Sequence, residues 1–271
     1  MRKETKLLSL RYHAHLRMPQ SNLIVEPATE SFANLGELLA SKVREAPEKG
    51  FLFSEVDDRQ YTYTQFQLAV ARLATMLVAN RVRKGDVVSL LLPNSVEYVI
   101  AYFACWQIGA IAGPVNSLLK AQEIAYVVTN SEAKAILVHS QFGPLIDPLR
   151  PALTTLQTVI QFDDEAEVTR EFSGAMLPAA EASLDDEAII IYTSGTTGKP
   201  KGCLLTHRNL IANARQISQW LGFTNNDRLL TIMPLFHMNA VSVTTMAALY
   251  AGGATVVSLK FSASRFWEII S

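Results

Sequence analysis

The 271-residue sequence has almost no net charge. Its 24 Lys and Arg residues are balanced by 25 Asp and Glu residues, which gives a formal net charge of -1. A chain balanced in this way has no overall electric field that would attract nucleic acid or an anionic membrane. The composition therefore predicts no nucleic-acid partner, and any anion-binding site must be a local feature.

Cysteine is scarce as well. Cys105 and Cys203 are the two cysteines, and their spacing fits neither a disulfide framework nor a metal site. Scarce cysteines without a disulfide framework are typical of proteins in a reducing compartment, so we expect cytoplasmic localisation. Because their spacing does not fit a metal site, we expect no metal site on this chain. Both cysteines are interpreted as small buried hydrophobic groups rather than as catalytic thiols.

The sequence also lacks a long uninterrupted hydrophobic run. Tyr98 to Val115 reaches only the lower length limit of a transmembrane helix. Gly109, Gly113 and Pro114 interrupt it, and lipid would leave such irregular backbone without hydrogen-bond partners. We therefore predict no integral membrane segment, but a helix that ends near Gly109 and a short buried strand, Ile111 to Val115.

The first 31 residues are basic and have no apolar core of signal-peptide length. We interpret residues 1–31 as a poorly ordered extension. An organellar transit peptide is the alternative for this segment.

What the sequence does contain is an alternation of strand and helix patterns. Continuous apolar strands are separated by helical repeats, such as the one that follows Thr64, which we assign as a helix N-cap. Repeated βαβ units predict the α/β class, with mostly parallel sheets flanked by helices. The predicted strands lie near residues 86–93, 111–115, 133–139, 158–162, 187–195, 228–235 and 254–259.

We divide the chain at an acidic, alanine-rich stretch, residues 163–186, which is poor in large apolar side chains. It is predicted to be a surface connection. The first α/β subdomain then covers residues 32–162. The start of a second one, with the loop described next, covers residues 187–271.

A glycine- and hydroxyl-rich loop follows the apolar strand at residues 187–195. Its glycines permit close approach of a ligand, its hydroxyls donate hydrogen bonds, and its lysines supply positive charge. These groups predict an anion cradle, most simply for a polyphosphate, with a flexible surface turn as the alternative. The loop consists of Thr193, Ser194, Gly195, Thr196, Thr197, Gly198, Lys199, Pro200, Lys201 and Gly202.

The spacing in this loop excludes the common nucleotide-binding motifs. Only two residues separate Gly195 from Gly198, and Pro200 follows Lys199, so the loop is not a Walker A motif. A dinucleotide-binding glycine fingerprint near the first strand is also missing. The ten-residue string instead resembles the phosphate-loop signature of the AMP-binding, adenylate-forming superfamily, which includes acyl-CoA synthetases, peptide-synthetase adenylation domains and luciferases.

A second stretch, Met233 to Ala240 (MPLFHMNA), is similar to the family segment that borders the carboxylic-acid pocket. By resemblance, His237 would approach the reacting carboxylate as the catalytic residue. Phe236, Met238 and Asn239 would shape the substrate pocket. The alternative for His237 is that it begins a helix and binds backbone. Residues 91–116 also resemble the acyl-CoA synthetase branch, and the resemblance extends from about Phe32 to the end.

The resemblance implies an AMP-forming acid–thiol ligase of the kind used in fatty acid metabolism. ATP would activate a carboxylic acid to an acyl-adenylate, and coenzyme A would then take the acyl group as a thioester. The loop hydroxyls, amides and lysines would hold the phosphates, and catalysis would come from positioning and charge stabilisation.

Family members are about twice as long, so we expect this chain to be the N-terminal part of such an enzyme. Its partner would then be the C-terminal half. The glutamate that binds Mg²⁺, the ribose-binding aspartate and the late catalytic lysine would all lie beyond residue 271. The alternative is a non-catalytic fragment, or a phosphate-binding or interaction module without turnover.

Overall fold

A computed structural model describes residues 32–172, 182–193 and 199–270. The predicted N-terminal extension, residues 1–31, lies outside these ranges. The described residues form two sheets flanked by helices, and most neighbouring strands run parallel. The predicted α/β class is therefore confirmed.

The larger sheet has six strands in the order β6-β5-β3-β4-β7-β8. All its neighbouring pairs are parallel except β7 and β8. The strands are β3 (Val87–Leu91), β4 (Ile111–Pro114), β5 (Ala135–His139), β6 (Thr158–Phe162), β7 (Glu187–Thr193) and β8 (Lys201–Thr206).

The smaller sheet has four strands in the order β2-β1-β10-β9. β10 pairs parallel with both β1 and β9, whereas β2 runs antiparallel to β1. The strands are β1 (Gly50–Ser54), β2 (Gln60–Thr62), β9 (Arg228–Thr231) and β10 (Ala254–Val257).

Helices cover these sheets. The α-helices are α1 (Leu35–Glu45), α2 (Tyr63–Ala79), α3 (Val96–Gln107), α4 (Ala121–Asn130), α5 (Gly143–Ile146), α6 (Glu165–Val168), α7 (His207–Leu221), α8 (Ala247–Ala251) and α9 (Phe266–Ile270). A π-helix, Ala240–Met246, leads into α8. Short 3-10 turns occupy Ser140–Phe142, Asp147–Ala152 and Arg170–Phe172.

The apolar stretch at Tyr98 to Val115 forms the predicted helix and strand. α3 ends at Gln107, Gly109 adopts a positive φ of 67°, and β4 begins at Ile111. α3 is buried, and the indole N–H of Trp106 donates to the carbonyl of Ala188 in β7 at 2.8 Å. Among the residues that the structure describes, no helix combines the length and apolar composition needed to cross a bilayer.

The N-cap assignment at Thr64 was wrong. α2 begins at Tyr63, and Thr62 caps it by accepting a hydrogen bond from the backbone N–H of Gln65. The Gln65 side chain accepts from the Thr62 N–H in return, which completes a capping box. The Thr64 hydroxyl instead donates to the carbonyl of Pro47 at 3.0 Å.

Each sheet takes strands from both sides of residues 163–186. β7 and β8 extend the sheet of β3 to β6, and β9 and β10 extend the sheet of β1 and β2. The strands after the connecting segment therefore complete sheets that begin before it. The division into subdomains at this segment stays a prediction about folding units, because sheet membership does not show which parts fold alone.

We predicted a surface connection, but the start of this segment contains buried residues. Glu165 and Thr169 are fully buried. The Thr169 hydroxyl donates to Glu165 Oε1 at 2.7 Å, and Arg72 Nη2 lies 3.4 Å from Glu165 Oε2. These partners allow a carboxyl group to enter the interior.

Candidate functional site

A cavity of about 600 Å³ lies at the carboxyl ends of the parallel strands β4 and β7. Open α/β sheets bind ligands in the crevice outside this edge. Pro114 contributes from β4, and Ile191, Tyr192 and Thr193 contribute from the end of β7. The other lining side chains are Asn116, Leu119, Glu123, Val127, Pro200, Phe236, His237 and Met238.

The predicted phosphate loop, residues 193–202, connects the two strands of a hairpin. β7 and β8 pair antiparallel, with Thr193 opposite Lys201. Thr193, Lys199 and Lys201 are exposed. The other predicted phosphate-binding residues, Ser194, Gly195, Thr196, Thr197 and Gly198, lie outside the described residues.

Strand β8 is not among the strands predicted from the sequence. Gly202 obscured it, since glycine interrupts a strand pattern. In the fold this glycine allows close packing within the hairpin. A Cβ atom added to Gly202 would lie 2.9 Å from Ile190 Cδ1 and 3.2 Å from Tyr192 Cζ.

The side chain of Lys199 lies against α4. Its ammonium nitrogen is 5.3 Å from the ring centroid of Tyr126, which is a cation–π geometry. The Tyr126 hydroxyl donates to the carbonyl of Pro200 at 3.2 Å. Neither Lys199 nor Lys201 lines the cavity, although Pro200 between them does.

Phe236 and His237 lie beside one another at the cavity wall. Phe236 is buried, His237 is exposed, and their ring centroids are 4.5 Å apart. The backbone of His237 forms the turn before the π-helix, where its N–H donates to Pro234 at 2.9 Å and its carbonyl accepts from Ala240 at 3.1 Å. Its backbone therefore has the helix-starting role given above as the alternative, while its side chain also lines the cavity.

Asn239 points to a different space. Met238 and Asn239 line a second groove of about 480 Å³ between α7 and the π-helix. Of the four predicted pocket residues, Phe236, His237 and Met238 share the first cavity, and Met238 borders both spaces. The second groove is also lined by Leu205, Asn209, Leu210, Asn213, Ile217, Ser242 and Val243.

His207 follows the hairpin and is fully buried at the start of α7. Its Nδ1 accepts a hydrogen bond from the backbone N–H of Leu35 at 3.2 Å. Burial lowers the pKa of His207 to about 4, so the ring is neutral at pH 7 and adds no charge to the site.

The two cysteines differ in exposure. Cys105 is buried in α3, as predicted, and burial raises the pKa of its thiol. Cys203 is exposed, so its predicted burial was wrong, because β8 is the edge strand of the larger sheet. Within the described part of the chain, no group of three or more His, Cys, Asp or Glu side chains is arranged to hold a metal ion.

Comparisons with known proteins identify the family of this chain. A family model described as AMP-binding enzyme matches residues 39–271. The chain belongs to the AMP-binding enzyme family. The resemblance predicted from the phosphate loop is therefore confirmed, and the match includes every predicted site residue.

Individual relatives in the family carry different substrate names. The chain is 33% identical over 241 residues to long-chain-fatty-acid–CoA ligase FadD13 of Mycobacterium tuberculosis, covering 88% of this chain and 47% of that protein. It is 30% identical over 250 residues to sulfoacetate–CoA ligase of Cupriavidus necator, covering 91% of this chain and 49% of that protein. The chain thus spans about half the length of these curated relatives.

A solved structure from the family has the same fold. The inhibitor-bound N-terminal domain of FACL13 from Mycobacterium tuberculosis matches with a TM-score of 0.80 and 32% sequence identity. The match covers 88% of this chain and 60% of that chain.

Proposed function

We propose that this chain is the N-terminal part of an AMP-forming acid–thiol ligase. One observation carries the proposal: a single cavity at the carboxyl ends of β4 and β7 is lined by both flanks of the phosphate loop and by Phe236 and His237. The relatives are named CoA ligases, which supports the same reaction class.

In the proposed reaction, a carboxylate oxygen attacks the α-phosphorus of ATP, and the bond to pyrophosphate breaks. The thiol of coenzyme A then attacks the acyl carbon, and AMP leaves with the bonding electron pair. The acid supplies the nucleophile for the first step. The protein therefore acts by positioning the substrates and by stabilising charge on the phosphates.

The loop is proposed to hold the pyrophosphate end of ATP. Backbone N–H groups and the hydroxyls of Thr193, Ser194, Thr196 and Thr197 would donate to phosphate oxygens, helped by the glycine positions Gly195 and Gly198. Lys199 and Lys201 would offset the negative charge. Mg²⁺ would neutralise further phosphate charge.

The acid is proposed to bind in the cavity beside Met238, which borders both spaces. His237 lines the cavity next to the loop flanks, so its imidazole would hold the reacting carboxylate, and the ring of Phe236 would fix its orientation. Met238 borders the second groove, which contains apolar groups such as Ile217 and Val243. The carbon skeleton of the acid would extend into this groove past Met238 and Asn239.

The other expected partners stay part of the proposal. Coenzyme A and the C-terminal half of the enzyme would complete the reaction. The two free cysteines, one of them exposed, support a cytoplasmic setting.

The test is pyrophosphate binding by calorimetry. Replacing both lysines, Lys199→Ala with Lys201→Ala, is expected to weaken binding about tenfold, or about 1.4 kcal/mol, because exposed charges are screened by water and salt. The control, Lys42→Ala with Lys260→Ala, removes the same two charges away from the cavity and should bind like the wild type. Equal affinity of the two double variants would refute the proposed role of the loop lysines.

Turnover is tested by ATP–pyrophosphate exchange with a panel of carboxylic acids. Exchange that depends on one acid class, and that is lost in His237→Ala, is the expected result for the chain joined to a C-terminal half of the family. Absence of exchange with every acid in that joined protein would favour the non-catalytic, phosphate-binding alternative.

A further inference from the structure

One face of α4 contacts the hairpin on both sides of the phosphate loop. Tyr126 and Asn130 are four residues apart, so they lie on the same side of this helix. The Tyr126 hydroxyl donates to the carbonyl of Pro200 at 3.2 Å, on the flank that follows the loop. Asn130 Oδ1 accepts a hydrogen bond from the hydroxyl of Tyr192 at 2.8 Å, on the flank that precedes it.

Hydrogen bonding and packing of Tyr126 and Tyr192 both attach the flanks of the loop to α4. Burial raises the pKa of Tyr192 to about 12, so its hydroxyl remains a donor to Asn130 at neutral pH. Tyr126 and Tyr192 both pack against the hydrophobic cluster between α4 and the larger sheet. The flanks of the loop are therefore tied to the core through two tyrosine side chains.

Tyr126 also contacts a charge that the proposed function uses. The ammonium group of Lys199 lies 5.3 Å from the centroid of its ring. An exposed cation–π contact is weak, so a polyphosphate with several charged oxygens would displace the ring as the partner of Lys199. The same side chain thus fixes the backbone at Pro200 and holds the neighbouring lysine close to the cavity.

We propose that Tyr126 is a positioning residue for polyphosphate binding, acting on the Lys199–Pro200 flank of the loop. This inference rests on the proposed function. Its physical basis is that a loop whose flank is already ordered loses less conformational freedom when it binds a ligand. Loss of the hydrogen bond from Tyr126 to Pro200 is then expected to lower the affinity for polyphosphate without removing any group that touches the phosphate.

The first test measures pyrophosphate affinity of the full 271-residue chain. Tyr126→Phe deletes only the hydroxyl, and the loss of one hydrogen bond predicts an increase in Kd of about threefold to tenfold. Tyr250→Phe, a matched change in a tyrosine that packs against Phe32 instead, should leave Kd unchanged. Thermal unfolding of both variants reports whether the change acts on affinity or on folding.

The second test uses NMR to detect the contact between Lys199 and the ring of Tyr126 directly. In the wild type, the ring of Tyr126 should shift the ε-methylene NMR signals of Lys199 upfield, and saturating pyrophosphate should remove this shift. Lys199→Arg identifies the signals. Tyr126→Phe should retain the shift in the free protein, and Tyr126→Leu should abolish it.

The outcomes separate the two proposals. If the lysine double variant loses affinity while Tyr126→Phe binds like the wild type, the role of Tyr126 is refuted and the proposed function stands. An upfield shift that persists at saturating pyrophosphate also refutes the exchange of partners by Lys199. If the wild-type chain does not bind pyrophosphate, the proposed role of the phosphate loop fails, and the inference fails with it.

Discussion

His207 should make the stability of this protein depend on pH, and His207→Asn should remove that dependence. The imidazole is fully buried, and its Nδ1 accepts from Leu35 at the start of α1. Burial is the main cause of its lowered pKa. Asp186 acts to raise the pKa and Lys84 to lower it, and these two residues pair with one another at 2.8 Å.

The sign follows from proton binding. The pKa of His207 falls from 6.5 to about 4 on folding, so between these pH values the unfolded chain binds more protons than the folded one. The free energy of unfolding must therefore decrease as the pH falls through this window. A difference of 2.5 pKa units predicts a loss of about 2 kcal/mol between pH 7 and pH 5, and about 3 kcal/mol by pH 4.

Urea unfolding of the wild type and His207→Asn at pH 7, 6 and 5 measures this effect. Asparagine keeps an acceptor for Leu35 and does not titrate, so the effect of the substitution should not depend on pH. It should lower the free energy of unfolding by about 1–2 kcal/mol at every pH, because the smaller side chain packs less well. The wild type is expected to lose about 2 kcal/mol more than the variant between pH 7 and pH 5. Parallel pH profiles for the two proteins would refute the reasoning.

Two further predictions concern stability. Trp106→Phe should lower the free energy of unfolding by about 2–3 kcal/mol, because it removes the buried hydrogen bond from the indole to the carbonyl of Ala188 and opens a small cavity; urea unfolding checks this, and a change below 0.5 kcal/mol would contradict it. Arg72→Met should cost about 3 kcal/mol at pH 7, because it leaves buried Glu165 without a cation. Burial raises the pKa of Glu165 and Arg72 acts to lower it, so in the variant this cost should decrease as the pH is lowered; a cost that does not change with pH would argue against it.

The local patterns of the sequence were sufficient for most of the helices and strands. The division of the apolar stretch into α3 and β4 follows from Gly109, whose positive φ is costly for other residues. The AMP-binding enzyme family was also recognised from residues 193–202 and from the segment around His237, because each motif is a continuous run of residues. These features depend on neighbours within one turn or one strand.

The contacts between distant residues were not predictable in this way. Tyr126 lies 74 positions from Pro200, and nothing in either local pattern indicates that the two meet. Met238 and Asn239 are adjacent in sequence, yet the turn into the π-helix directs Asn239 only to the second groove. Which side chains line the cavity and which line the groove is therefore a property of the fold.

Two positions show most clearly where local information ends. Both Thr62 and Thr64 are followed three residues later by glutamine, so the sequence alone allowed a capping box at either one. In the structure, Thr62 is the N-cap. Gly50 pairs with Thr62 between β1 and β2, and Tyr63 is buried, which places the start of the helix at Tyr63.

His207 is the second such position, since a histidine at a helix start is compatible with either exposure or burial. Leu35 lies 172 positions away, and its backbone N–H donates to the buried ring. The sequence by itself determined the family and the α/β class, because motifs and periodicity are local. Only the tertiary structure decided which side chains are buried and which share a cavity, because those properties depend on residues that folding brings together.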